Sequence, residues 1–347
     1  MRTELPAETS RVRVSSTAFS TGCQATRREV LALIAAAVTV SRAAAQVQTN
    51  RRPLRIGYLT PGPHQRVVDA FRRGLADLGY VEGRNLILDY RSADGRPDRL
   101  APLAAELAQL SPDAVVTLGS AAARAAKQET ATIPVVFAPA GEAVQSGLVQ
   151  SLARPGGNVT GLSVNAWMLN QKRLEILKET LPSTRRVVIL GNGRNTGPAQ
   201  WDRLKPSGEA LGIDLLPVMI AGIDDLPRDF ESIARYGADA LMILPDAAFD
   251  TAREEVTALA AQHRLLAMYE HRAFVEAGGL MSYGANIDRI SYQAAIFIDK
   301  IVKGAKPAEL PVEQPDEFEL LINLKTARAL GITISETVLT RADELIE

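Results

Sequence analysis

From Leu54 onward, short aliphatic runs alternate with stretches of helical periodicity. The runs lie at residues 55–60, 85–90, 114–119, 134–139, 186–191, 215–220, 240–245 and 265–269. Each has the length and aliphatic content of a strand buried on both faces, the kind found in parallel sheets. Between them, Val67, Val68, Phe71, Leu75 and Leu78 recur at the spacing of one helix face, as do Leu100, Leu103, Ala104, Leu107 and Leu110. Strands alternating with amphipathic helices predict βαβ units, and so an α/β fold built of doubly wound parallel sheets.

The pattern is written twice. Arg55-Ile-Gly-Tyr-Leu-Thr60 has its counterpart 131 residues later in Arg186-Val-Val-Ile-Leu-Gly191. Asp113-Ala-Val-Val-Thr-Leu-Gly119 is echoed 126 residues later by the run starting at Asp239, and Pro134-Val-Val-Phe137 is echoed 132 residues later by the run starting at Leu266. Three motifs in the same order at nearly one displacement predict two similar lobes. The breaks divide them into an N-terminal lobe of residues 54–162 plus 282–310 and a C-terminal lobe of residues 163–281 plus 311–347. After the loop Arg154-Pro-Gly-Gly-Asn158, the run 159–164 is expected to cross to the second lobe. After Gly278-Gly279, the run 280–284 is expected to cross as well. The helical stretch 290–302 would pack back on the first lobe, and 317–323 would return as a strand to the second. Such multiple crossovers make a multi-strand hinge rather than a single linker.

Ahead of this alternation stands a different pattern. Residues 31–40 form an uncharged apolar run, about half the length that a membrane-spanning helix needs. Arg27 and Arg28 precede it and Ala43-Ala44-Ala45 follows, which together make the three parts of a secretory signal peptide over residues 1–45. Thr26-Arg27-Arg28-Glu29-Val30-Leu31 also resembles a twin-arginine signal, so the export route is either that one or the general secretory one. Cys23 precedes the apolar run and is not a lipid-attachment cysteine. Cleavage after Ala45 would leave a mildly acidic, cysteine-free chain suited to an oxidising periplasm, with no stable membrane insertion.

Composition narrows the classes further. The 347 residues suffice for two or three domains at ~100–200 residues each. A hydrophobic share of 46% and a charged share of 23% describe an ordinary folded chain and not a disordered one. A net charge of −1 with scattered basic residues excludes a nucleic-acid binder as the first reading. One cysteine and three dispersed histidines (His64, His263, His271) speak against a disulfide framework and against a zinc enzyme. No P-loop, G-x-S-x-G elbow or H-E-x-x-H occurs, and the glycines of residues 191–197 are misplaced for a dinucleotide loop. No cofactor and no enzyme activity are expected. Glu270 and His271, adjacent in sequence, read as a solvated loop.

In open parallel sheets, ligands bind outside the carboxyl ends of the strands. In the first lobe those ends are Thr60 to His64, Gly119-Ser120-Ala121 and Ala138-Pro139-Ala140; in the second they are Gly191-Asn192-Gly193, Pro245-Asp246 and Tyr269-Glu270. Ser120 would either cap a helix starting at Ala121 or hold an anion there with the free N–H groups of the first turn. Asp246 would either cap a helix over 247–262 or neutralise an ammonium group. Tyr269 and Tyr283 would stack on a ligand or fill the core.

Three segments carry a resemblance. Ser151-Leu-Ala-Arg-Pro-Gly-Gly-Asn-Val-Thr-Gly161, Phe274-Val-Glu-Ala-Gly-Gly-Leu-Met-Ser-Tyr-Gly284 and Phe318-Glu-Leu-Leu-Ile-Asn-Leu-Lys-Thr-Ala-Arg-Ala-Leu-Gly331 are similar to those of the ABC transporter substrate-binding proteins of tryptophan/tyrosine-type uptake systems. The resemblance runs from about Leu54 to the C-terminus. It implies a type I periplasmic-binding-protein fold of two α/β lobes that close on a small-molecule ligand, such as an aromatic or branched amino acid. It also implies delivery to a permease with its ATPase subunit. Carried over by position, it places ligand-facing groups at Thr60, Ser120, Pro139, Ala140, Asn192, Asp246, Tyr269 and Tyr283. Two other readings share such a cleft, a ligand sensor for a membrane receptor and an enzyme acting on small metabolites.

Overall fold

The computed structural model describes residues 52–194 and 197–347; the expected leader lies outside them. The first strands and helices are β1 (Leu54–Thr60), α1 (Gln65–Asp77), β2 (Leu86–Ser92), α2 (Leu100–Gln109), β3 (Ala114–Thr117), α3 (Gly119–Glu129), β4 (Val135–Gly141) and β5 (Val159–Val164). The strands form a parallel sheet in the order β2-β1-β3-β4-β5.

The second half repeats this arrangement. It comprises α4 (Ala166–Thr180), β6 (Arg186–Asn192), α5 (Gly197–Leu211), β7 (Asp214–Ile220), α6 (Leu226–Arg235), β8 (Ala240–Ile243), α7 (Ala247–Thr251), α8 (Arg253–Gln262), β9 (Leu266–Tyr269), α9 (Arg272–Glu276) and β10 (Met281–Ala285). Its sheet runs β7-β6-β8-β9-β10, strand for strand the order of the first, and continues into β11 (Phe318–Asn323) and β12 (Glu344–Ile346). Only the β10–β11 pairing is antiparallel, and β12 runs parallel to β11. The internal repeat in the sequence is thus a repeat of topology.

Alternation within each strand supplies both faces. Ile56 and Tyr58 of β1 pack on one side with Val116 and Val136, while Leu59, Val115, Val135 and Phe137 pack on the other. In the second sheet Val187 and Ile189 face one cluster, and Val188 and Leu190 the opposite one. Residues of β2 and β7 depart from the expected burial on both faces: Ile87 is exposed and β7 is largely half-buried. Both are edge strands, so only one neighbour shields them.

The crossovers fall slightly later than the sequence pattern suggests. The run 159–164 does not cross; as β5 it pairs with β4 in the first sheet. Nor does 280–284 cross, because Met281 and Ser282 pair with Met268 and Tyr269 in the second sheet. The chain changes lobe just after each of these strands. It then returns as α10 (Ile287–Val302), whose Ile290, Ala294, Phe297 and Ile298 pack on Val68, Phe71 and Leu75 of α1. Val312 and Glu313 still belong to the first lobe, since Glu313 exchanges backbone hydrogen bonds with Gly161 and Ser163 (3.0 and 2.9 Å). By strand pairing, the chain leaves the first sheet after Val164 and the second after Ala285, and Glu313 is still bonded to the first. Among the described residues no helix is long and apolar enough to cross a membrane.

Candidate functional site

The strand ends of the first lobe are assembled around Gly119 and Gly141. Gly119 opens α3 at φ +84°, a left-handed conformation that a residue with a Cβ rarely adopts. The helix therefore starts before Ser120 instead of at Ala121, and Leu118 holds the cap position with no capping side chain. Ser120 is not the expected cap. Its Oγ donates to the Gly141 carbonyl (3.1 Å) and accepts from the Gly141 N–H (2.9 Å), tying the helix start to the end of β4. Ala121 is half-buried against the same core. Pro139 and Ala140 are buried beside an irregularity in the β4–β5 pairing that begins after Phe137. Thr60 is fully buried and turned inward, donating to Gly62 O (2.7 Å) and sharing a hydrogen bond with the Tyr90 hydroxyl (3.0 Å).

In the second lobe Asn192 and Asp246 come together: Asn192 Nδ2 donates to Asp246 Oδ1 (3.1 Å). The same oxygen accepts from Ala248 N–H (2.9 Å), so Asp246 caps α7 while buried beside Asn192. The expected helix over 247–262 is broken at Ala252 into α7 and α8. Tyr269 is a core residue here: it is fully buried, stacked on Phe274 at 4.9 Å, and its hydroxyl has no partner. Burial raises its pKa. Tyr283 is half-buried and lines a groove of about 610 Å³ at the hinge, with Asn286, Phe318 and Glu319. Its ring lies 6.2 Å from that of Phe318.

The lobes touch on both sides of these strand ends. Arg203 of α5 donates to Glu142 Oε1 (3.4 Å) and to Gln145 Oε1 (2.6 Å), both in the loop after β4. The Trp167 N–H also donates to Glu142 (3.2 Å). On the opposite side Thr251 abuts Gly62 and Gly95. A Cβ added to either glycine would lie 3.0 or 2.9 Å from its side chain, so the close approach depends on their missing side chains. Arg66 of α1 pairs with Glu276 of α9 (2.8 Å).

Beside Thr251 lies a charge cluster that the sequence order conceals. His271 Nε2 is 2.6 Å from Asp250 Oδ1 and 3.8 Å from Glu270 Oε1. These side chains are only 15–17% exposed, which corrects the expectation of a solvated loop. Burial, reinforced by the charge of Asp250, pushes the Glu270 carboxyl up to about 7. Burial works against charge on His271, but Asp250 and Glu270 outweigh it and hold the imidazole at about 9. His64, from the loop after β1, is pushed down by burial although Asp250 opposes this. Beneath the cluster Arg173 is fully buried. It donates to Tyr283 O (2.7 Å), Glu270 O (3.1 Å) and Asn170 Oδ1 (2.6 Å). Burial lowers it to about 10, so it stays charged at neutral pH.

Of the positions expected at the site, the structure joins Ser120 to the end of β4 and Asn192 to Asp246, each flanked by lobe-to-lobe contacts. Thr60 and Tyr269 are buried in the core, and Tyr283 lines the groove beside Phe318. The strand-end rule reached His64, in the stretch from Thr60 to His64, but the sequence offered no signal for Asp250 or Arg173, whose placement depends on packing of distant elements.

Comparison with known proteins agrees with this architecture. A tyrosine-binding protein of Clostridioides difficile (strain R20291) is 24% identical over 263 residues, 76% of this chain and 75% of that one. A conserved domain protein of Vibrio cholerae superposes with a TM-score of 0.79 at 30% identity, covering 85% of this chain and all of the other (100%). An ABC domain from Streptococcus pneumoniae in complex with L-Trp also gives a TM-score of 0.79, at 26% identity and with coverage of 85% and 100%. The fold is that of the type I periplasmic binding proteins. Since residues 61–346 match the ABC transporter substrate binding protein family, nearly the whole described chain, this protein belongs to that family, which binds a substrate rather than transforming it.

Proposed function

We propose that the chain is the extracytoplasmic, periplasmic solute-binding component of an ABC importer. It captures an aromatic or branched amino acid between its lobes and hands it to a permease and ATPase pair. The observation that carries this is the pairing of two equivalent sheets whose carboxyl edges, at Ser120–Gly141 and Asn192–Asp246, are bracketed by lobe-to-lobe contacts. The names of the relatives, tyrosine-binding and bound to L-Trp, support an amino-acid ligand. The uncapped first turn of α3, fixed by Ser120, offers N–H groups to a carboxylate. Asp246 supplies the opposite charge for an ammonium group.

Capture works by hinge closure. The ligand bridges lobes that the crossovers leave free to rotate, and contacts made only when they meet favour the closed form. Mass spectrometry of whatever small molecule co-purifies with the protein, followed by calorimetric titration of an amino-acid panel, tests the ligand class. Ser120→Ala combined with Asp246→Ala should weaken capture at least tenfold. Unchanged affinity in that double variant removes the site from these residues.

A further inference from the structure

We propose that Asp250, Glu270 and His271 of the second lobe form a site for a transition-metal dication of the zinc class, which His64 of the first lobe would complete by moving toward it. Donor atoms of Asp250, Glu270 and His271 all lie within 4.8 Å of one another. The His271 Nε2 separations of 2.6 and 3.8 Å bracket the roughly 3.3 Å donor-to-donor spacing of a tetrahedral site with zinc bonds near 2.0–2.2 Å. Two further observations point to something missing. His64 Nε2 is buried without any hydrogen-bond partner, and its charged neighbours are Asp250 and His271 of the facing lobe together with Arg253. Among the described residues no hydrogen-bond donor reaches the Glu270 carboxylate, although it is largely buried beside Asp250.

A dication would bind the open Glu270 carboxylate and give the unpartnered His64 nitrogen a ligand to meet, taking the place of the proton shared by His271 and Asp250. Two imidazoles and two carboxylates are borderline ligands that favour zinc over magnesium or calcium. An alkylammonium group would use the carboxylates but would leave the imidazoles idle. The site owes nothing to the identity of the solute in the cleft, so its failure leaves the transport reading standing.

The test uses the untagged full chain with Cys23→Ser, to remove the thiol, after dialysis against a chelator. Titration with ZnCl2 by calorimetry should show uptake of one equivalent, and CoCl2 should give the visible absorption of a low-symmetry site with nitrogen donors. His64→Gln should weaken uptake at least tenfold and His271→Gln should abolish it, while His263→Gln leaves it unchanged. Circular dichroism establishes that each variant is folded; should His271→Gln not fold, the His64→Gln result and the cobalt spectrum decide. Absence of stoichiometric uptake, or uptake equal in the parent and His64→Gln, overturns the proposal.

Discussion

The Glu270 carbonyl oxygen lies 1.9 Å from where a β-carbon on Gly284 would stand. The segment that carries Glu270 and His271 therefore rests directly on the backbone of β10, and Arg173 locks it there through hydrogen bonds to both Glu270 O and Tyr283 O. Gly284→Ala forces that segment to shift, because a backbone carbonyl cannot swing aside as a side-chain end can. The expected cost is about 1–3 kcal/mol, measured by chemical denaturation. Stability equal to the parent would mean that the floor of the cleft is looser than the packing indicates.

Arg173→Met removes the cation but keeps much of the volume. Three acceptors, on Asn170, Glu270 and Tyr283, lose their donor. Stripping a buried charged partner costs about 3–5 kcal/mol. Arg173→Lys should recover little, since one ammonium cannot reproduce the guanidinium fork. Denaturant midpoints of the three proteins, read side by side, give the order parent, Lys, Met.

Arg203 is half-exposed and bridges only when the lobes meet at Glu142 and Gln145. Exposed pairs of this kind are worth about 0–1 kcal/mol. Arg203→Ala should leave unfolding unchanged and speed ligand release by about fivefold at most, as followed by stopped-flow fluorescence. A release rate identical to that of the parent would show that this contact does not report on closure.

Asp239 supplies a pH-dependent share of stability. Burial opposes its charge, but the N–H groups of Arg185 and Arg186, each 2.8 Å from Oδ2, hold the carboxyl below its usual value. A depressed folded pKa stabilises above the unfolded value near 3.9 and fades as pH falls through the folded one. Asp239→Asn should lose about 1 kcal/mol at pH 7. The gap between variant and parent should narrow progressively below about pH 5. Equal gaps at pH 7 and pH 3 would contradict this.

The Asp239 N–H also donates to Arg186 O (2.9 Å), closing a two-bond ring that recurs in the first lobe, where the Arg55 N–H donates to Asp113 Oδ2 (2.8 Å) and the Asp113 N–H donates to Arg55 O (2.8 Å). Its recurrence explains why the sequence repeat was visible: the motif pairs Arg55 with Asp113 and Arg186 with Asp239 at the start of equivalent neighbouring strands. Strand burial, helix faces and lobe duplication are local or periodic properties, so the amino-acid order determined them. The crossing points near β5 and β10 stayed open in the sequence because a run of Val, Leu and Gly reads alike whether it pairs within a sheet or crosses a hinge. Of the two alternatives for Ser120 the structure removes the cap, because a left-handed Gly119 starts the helix early, and of the two for Tyr269 it shows core packing, because strand phase sets where a side chain goes. Only the tertiary structure decided that His271's neighbours in space include Asp250, that buried His64 lies within the field of both, and that Arg173 sits beneath Glu270. Electrostatic attraction and steric contact act through space, and these groups are brought near one another by the packing of elements far apart along the chain.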